Sequence, residues 1–325
     1  MIREKVLTQP VDSGDWFKRN MNTVGPIIFV ILVIAIFQVI NPFFLSYQGI
    51  ITLIYAMSYF LIAACGLTFV IMTGSFDFSV PTLLKLSALI CVRYIDRIGL
   101  LVIPIAILTT LGFGFINGIL LARFKVPSFL ATLGISIVAD GVAWYITKGH
   151  LMIMENEAFR GIATTFIAGL PSIFYWGIGI WIISTFVALA TPFGRRTYAI
   201  GGNLEGAGLS DINVAWHRIK VFMLSGFLAG LAGVLNMSQT GGGSVKIGAD
   251  MAIPLFASVV AGGTALTGGM GGPHRTLMGV IIITWIQAGM SMLALGNDVQ
   301  MVTFGLIAVG MSVATIDRKR IRIVK

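Results

Sequence analysis

What most restricts this chain is its succession of long apolar runs. The run from Ile50 to Met72, for example, carries no charged residue. A helix needs about 20 predominantly apolar residues to cross a bilayer. A soluble fold would have to bury every such run in one core, and single cores stop growing near about 250–300 residues. The chain has 325 residues, 57% hydrophobic and 11% charged, against about 25% charged in soluble domains. It therefore reads as an all-α integral membrane protein, whose backbone groups must be satisfied internally because lipid cannot satisfy them.

Ten spans are expected, at about Val24–Phe44, Ile50–Met72, Pro81–Tyr94 (short and broken), Leu100–Ala122, Ser128–Thr147, Thr165–Ala190 (interrupted at Pro171), Ile219–Met237, Met251–Leu266, Leu277–Leu295 and Gln300–Thr315. Residues 1–23 and 317–325 flank this transmembrane region, and a long loop fills 191–218. With both termini in the cytoplasm, 16 of the Lys and Arg residues fall inside and 5 outside, with Lys85 left in the membrane. That asymmetry is the positive-inside pattern of an inner-membrane protein. The net charge of +9 then belongs to cytoplasmic loops, and nucleic acid is not an expected partner. Met1–Asn20 is polar and mixed in charge, so no cleavable signal is expected. Cys65 and Cys91 lie in apolar segments and suggest no disulfide framework. His150, His217 and His274 lack ligand spacing, so neither a metal site nor a catalytic residue is expected.

Two polar breaks echo each other: TGSFDFSVPT (Thr73–Thr82) and GGTALTGGMGG (Gly262–Gly272). Each is followed by a helix with an amide near its middle, Asn117 in one half and Gln287 in the other. One reading is a five-plus-five inverted repeat with discontinuous helices, as in many transporters. The other is two unrelated glycine-rich loops.

AIGGNLEGAGLSDINV (Ala199–Val214) is polar, acidic and glycine-rich inside the long loop. Its glycine spacing and membrane flanks argue against a dinucleotide fingerprint. It reads either as a solvated loop or as a short helix, capped by Asn203, with Glu205 favourably near the helix start. In the second reading Leu204, Ala207 and Leu209 dock on something apolar.

This stretch resembles the cytoplasmic coupling segment of ribose- and galactose-type ABC importer permeases, within the branched-chain amino acid and ribose permease superfamily. RIKVFMLSGFLAGLAGVL (Arg218–Leu235) is similar to the family's next helix, and SVVAGGTALTGGMGG (Ser258–Gly272) to its discontinuous segment. LTFVIMTGSFDFSV (Leu67–Val80) and GFGFINGILLARFKVPSFLATLG (Gly112–Gly134) resemble two further family motifs, in the right order. The resemblance implies a type II importer-like permease that moves a small hydrophilic cargo, a monosaccharide first among the candidates. It implies three partners: a cytoplasmic ATPase carrying ATP and Mg, a periplasmic or lipid-anchored sugar-binding protein, and a second permease, identical or sister. It also implies that Gly202, Asn203, Glu205, Gly206, Ala207, Leu209 and Ser210 dock on the ATPase. The chain has no P-loop, so no cofactor and no ATP hydrolysis are expected of it.

The chain departs from the family in places. Gly206 and Gly208 replace larger residues in the coupling segment, and Pro81 replaces a glycine. Lys85 enters an apolar helix, Ala252 replaces an acidic residue, and His274 and Arg275 adjoin the second break. These changes bear on cargo and coupling more than on fold.

An ionisable group at membrane depth is a functional hypothesis by default. Asp77 either caps the third span at an aqueous edge or pairs with Lys85 about two turns on. Asp140 either lines a pathway or bonds a neighbouring helix. Asn117 and Gln287 either meet cargo hydroxyls or bridge helices. The candidate pathway residues are thus Phe76, Asp77, Phe115, Asn117, Gly262, Gly263 and Gln287. Gly226, Gly230 and Gly233, with Gly114 and Gly118, read as packing faces. Other readings of the chain are an ion-coupled secondary transporter, a membrane scaffold, and an ABC permease for a nucleoside, a furanone signal or an amino acid.

Overall fold

The structure is a computed structural model that describes residue 28 and residues 30–315. The flanking segments 1–23 and 317–325, and part of the first expected span, lie outside the described residues. The regular structure of the described residues is helical apart from two pairs of two-residue strands.

The helices are α1 (Val30–Ile40), α2 (Tyr47–Met72), α3 (Val80–Ile98), α4 (Val102–Ala122), α5 (Ser128–Thr147), α6 (Glu157–Thr164) and α7 (Ser172–Ala190). They continue with α8 (Pro192–Gly202), α9 (Leu204–Leu209), α10 (Val214–Thr240), α11 (Ala252–Ala261), α12 (Pro273–Met292) and α13 (Asn297–Thr315). Among the described residues, 6 helical stretches are long and apolar enough to cross a bilayer, with Val80–Ala122 counted as one of them. That stretch doubles back at the 3-10 turn Gly99–Leu101, so that Ser87 of α3 and Thr110 of α4 both lie against Gly230.

Several expected boundaries are corrected. The third span is an unbroken helix, because Pro81 sits in its first turn, where a missing N–H costs nothing. The sixth begins at Ser172 rather than Thr165. Phe166–Ile167 and Leu170–Pro171 form a hairpin around Ala168 and Gly169, which both have positive φ, 49° and 81°. Pro171 thus closes a hairpin instead of interrupting a helix. The eighth is only the 10 residues of α11, about 15 Å long. The loop 191–218 is mostly helical, holding α8, α9 and the start of α10.

The central helix α10 is held close by its neighbours through glycine. Gly226 and Gly230 abut Thr110, Gly233 abuts Leu84, Gly114 abuts Phe222, and Gly118 abuts Ile219. These are the packing faces expected from the sequence. A Cβ on Gly118 would stand 2.6 Å from the Cα of Ile219. Gly118→Leu therefore forces α4 away from α10, at about 1–3 kcal/mol. The expected result is a lower melting temperature and a smaller monodisperse fraction in detergent, read by size-exclusion chromatography.

Helices α2 and α10 run antiparallel: Gly66 meets Ser225 and Leu228, while Phe69 and Met72 cluster with Val221 and Phe222. Each ends on a Thr-Gly step with glycine at positive φ, Gly74 at 71° and Gly241 at 70°. After each, the chain turns back into the bundle, to α3 and to α11. The two returning stretches meet where Lys85 Nζ donates to Val245 O at 3.2 Å and Gly248 lies beside Pro81 O. The echo read from sequence was placed differently, between Thr73–Thr82 and Gly262–Gly272. Those two breaks meet at one end of the bundle, where Gly269 N donates to Met72 O at 2.9 Å. They follow helices that run the same way, so they are not counterparts in an inverted arrangement. The oppositely directed counterpart of the first break is the stretch from Gly241 to Asp250.

Candidate coupling site and polar core

Two sites emerge, one at the end of the bundle that carries α8 and one inside it. At the bundle end, Thr191 caps α8 and Pro192 fills its first turn. Asn203 caps α9, its side chain accepting from Gly206 N at 2.9 Å, and Glu205 sits in the first turn as the helix dipole favours. Ser210 Oγ closes the helix by donating to Gly206 O at 2.9 Å. Ala207 is buried, whereas Gly202, Asn203, Glu205 and Ser210 are exposed, and Gly206 is partly covered. Leu209 stands 90% exposed, so α9 docks inward on Ala207 alone and presents Leu209 outward.

The lever behind α9 is tightly anchored. Gly201 lies against Met72 O and Gly269 N, with no room for a Cβ. Tyr198 OH donates to Gly271 O at 2.6 Å, and Thr197 Oγ1 bonds His217 Nε2 at 2.8 Å. Burial raises the pKa of the Tyr198 hydroxyl, against a smaller lowering by Arg275. It therefore stays a protonated donor at neutral pH. Phe193 packs on Phe69 and His217, with ring centroids 5.9 and 4.7 Å apart. The glycine turn that receives these contacts needs positive φ at Gly268, Gly269, Gly271 and Gly272, values of 85°, 74°, 93° and 137° that favour glycine. Through α8, α9 is thus joined by backbone contact to the end of α2 and to the turn before α12, and by side chains to α10.

Gly206 and Gly208 weaken α9 by about 1 kcal/mol each relative to alanine. A Cβ at 208 meets nothing within 4 Å, whereas one at 206 meets the capping Asn203 amide at 3.0 Å. Gly208→Ala should therefore stiffen α9 by about 1 kcal/mol without a clash. Slower amide exchange across Leu204–Leu209 is the measurement that checks it.

The inner site is the break before α3. Asp77 is fully buried. Its Oδ1 accepts from Ser79 N at 3.0 Å and Ser79 Oγ at 2.5 Å, and its Oδ2 from Ser225 Oγ at 2.8 Å. Asn117 Nδ2 donates to Ser79 Oγ at 2.9 Å, while its Oδ1 is buried without a partner. Asp77 therefore ties the start of α3 to α10, and it stands at no aqueous edge. The Asp77–Lys85 pair, one of the two readings of Asp77, does not form; Lys85 pairs with Asp140 of α5.

Phe76 and Phe78 pack on Phe256 of α11, with centroids 6.1 and 4.7 Å away. Gly262 abuts the backbone of Arg275, and Gly263 has φ 87°. Phe115, two residues and so about half a turn from Asn117, faces the opposite way. It lines an open cleft with Ile119, Arg123, Phe124, Trp216 and Ile219, apart from Asp77 and Asn117. Gln287 is partly buried and makes no hydrogen bond with the described residues. The candidates thus separate: Asp77 and Asn117 share one network, Phe76 adjoins it, and Phe115 lies elsewhere.

Sequence reasoning missed a polar stripe on α5. Ser128 Oγ accepts from Phe76 N at 3.0 Å, Thr132 Oγ1 from Phe78 N at 3.1 Å, and Ser136 Oγ bonds Thr82 Oγ1 at 2.7 Å. Asp140 continues the series at the same four-residue spacing, which is one helix face. That spacing was the signal available in the letters.

The family of permease components of branched-chain amino acid transport systems matches residues 49–312. The chain belongs to that family. The match spans both breaks, α8, α9 and the α5 stripe. Among relatives of this multi-pass membrane permease, a ribose import permease of Haemophilus influenzae is 34% identical over 292 residues, covering 86% of this chain and 88% of that one. A ribose import permease of Bacillus subtilis is 32% identical, covering 94% and 95%. An L-arabinose ABC transporter permease of Azospirillum brasilense is 28% identical, covering 86% and 83%. No solved structure matches the chain.

Proposed function

We propose that the chain is the permease subunit of an ATP-driven importer of a small neutral monosaccharide. The observation that carries this reading is the anchored lever of α8 and α9, which offers Glu205 and Leu209 to a partner while its base is bonded to the second break and abuts the end of α2. In this reading α9 enters a groove on a cytoplasmic ATPase, which holds ATP and Mg; the permease itself holds no cofactor and hydrolyses nothing. Its docking surface comprises Gly202, Asn203, Glu205, Gly206, Ala207, Leu209 and Ser210.

A sugar-binding protein delivers cargo on the opposite face, and a second permease completes the passage. The inner membrane holds the chain, with ten passes counted to include α1, α11 and α13, both termini cytoplasmic, and α2 and α10 as the second spans of the two halves of an inverted repeat. Relatives named for ribose and arabinose support the choice of a sugar. The ion-coupled alternative is less well supported, since all three of Asp77's hydrogen bonds hold the fold together.

The test is purification of the tagged chain from its native membrane in mild detergent, followed by reconstitution with what accompanies it. A P-loop ATPase should co-purify, and the reconstituted complex should import D-ribose or L-arabinose on addition of ATP. Absence of any ATPase, under conditions that keep other complexes whole, refutes the reading.

A further inference from the structure

The ion pair of Lys85 and Asp140 serves no purpose described so far. A buried pair is weak evidence for stability, because desolvation offsets its attraction and apolar residues of similar volume do as well. Here it joins two stretches that are each long and apolar enough to cross the bilayer. Asp140 is the thirteenth residue of the 20-residue helix α5, about 10 Å from that helix's end.

The two partners are covered unequally. The Lys85 side chain is 7% exposed and that of Asp140 42%. Lys85 is held on two sides, by Asp140 Oδ1 and by Val245 O of the stretch returning toward α11. Asp140 Oδ2 accepts no hydrogen bond from the described residues. It opens onto a face of α5 that also carries Ile137, Gly141 and Trp144. Lipid tails cannot solvate a half-open carboxylate, and such groups face a water-filled cavity or the interior of a bundle. Below it the polar stripe of Ser136, Thr132 and Ser128 continues along the same seam with α3.

We infer that Lys85 and Asp140 form a hydroxyl-binding station in the cargo passage. Asp140 is the contact residue, accepting hydrogen bonds from a neutral polyhydroxylated cargo through Oδ2. Lys85 is the positioning residue that holds Oδ1 and turns Oδ2 outward. A carboxylate placed there repels anionic cargo and suits a sugar. The inference rests on the sugar-importer reading for its cargo, and on the exposure and contacts of the pair for its place.

The experiment uses the complete importer in membranes. Native Cys65 and Cys91 are fully buried, at 0% exposure, so background thiol labelling is low. In Asp140→Cys, the introduced thiol should react with a membrane-impermeant anionic thiosulfonate about tenfold faster than the thiol of Val138→Cys. Val138 lies on the far rim of the same helix, 54% exposed. Adding Lys85→Met should lower the rate with the anionic reagent about fivefold relative to a cationic one, since the nearby ammonium attracts the former. A merely structural lysine would change both rates alike.

Asp140→Asn should lower D-ribose uptake about tenfold with the ATPase still attached, the effect of losing a charged acceptor worth about 1.5 kcal/mol or more. Lys85→Arg should retain more uptake than Lys85→Met. Equal labelling at 140 and 138 would overturn the station, placing lipid or a second copy of the chain over Asp140. So would labelling at 140 without any Lys85-dependent charge preference. If the unaltered importer took up no ribose while the thiol at 140 labelled as expected, the ribose reading would fail and the station would stand.

Discussion

Replacing Glu205 by Arg and Leu209 by Asp together abolishes uptake while leaving the permease folded. Both side chains are exposed, and Asn203 and Ser210 cap α9 without them, Glu205 adding only its favourable place by the helix dipole. Leu209, at 90% exposure, has nothing of its own chain to lose. Buried in a partner's groove, a leucine contributes about 1.5–3 kcal/mol. Putting a carboxylate there adds the cost of burying an unpaired charge, and Arg for Glu opposes the helix dipole. A combined loss of about 4 kcal/mol is near a thousandfold in affinity. The variant should purify with the wild-type elution profile, retain less than about a tenth of the ATPase, and import no sugar above background. Normal uptake by this variant would end the docking reading of α9.

The second large effect is expected at Gly201, where docking survives and transmission fails. A Cβ there overlaps Met72 O and Gly269 N, both of them backbone atoms that no rotamer change can move. Overpacking of this kind costs about 1–3 kcal/mol. The strain falls on the hydrogen bond of 2.9 Å from Gly269 to Met72, which joins the second break to the end of α2. Gly201→Val leaves the exposed surface of α9 intact. The ATPase should therefore co-purify at near wild-type yield and hydrolyse ATP, while uptake falls more than about tenfold. Uptake and ATPase retention that fall together would show instead that the substitution dislodges α9, and that the Gly201 contact does not transmit motion.

The membrane class and most spans were legible because long apolar runs have few other uses. At Leu204–Leu209 the residues left a capped helix and a solvated loop both open, and the structure shows the helix, with Asn203 and Glu205 as cap and dipole partner. Other features were not. Phe115 was read beside Asn117, yet α4 is apolar on nearly every side, so its periodicity does not say which face turns inward. The partner of Lys85 depended on the packing of α5 on α3, which spacing within α3 cannot reveal. The counterpart of the first break was misplaced because glycine content drew attention to Gly262–Gly272. The oppositely directed stretch, Gly241–Asp250, shares only a Thr-Gly step with Thr73–Thr82. Its equivalence lies in chain direction, which letters do not carry.

The short helix α11 has an electrical consequence. Its 10 residues bridge about 15 Å, half the thickness of the hydrocarbon layer. The remainder of that column is the non-helical stretch before it, where Lys246 and Asp250 are both exposed. Charged groups at membrane depth need water or polar partners, and Asp250 has one in Asn297, 2.7 Å away. Water reaching these charges from the side away from α8 would thin the insulating layer to the length of α11 and confine the membrane voltage to about half the usual distance. A charged solute crossing that layer would do work of about 2.3 kcal/mol per 100 mV, compressed into three turns of helix. A neutral sugar crosses the same steep field without electrical work, and its import stays indifferent to the potential of the cell.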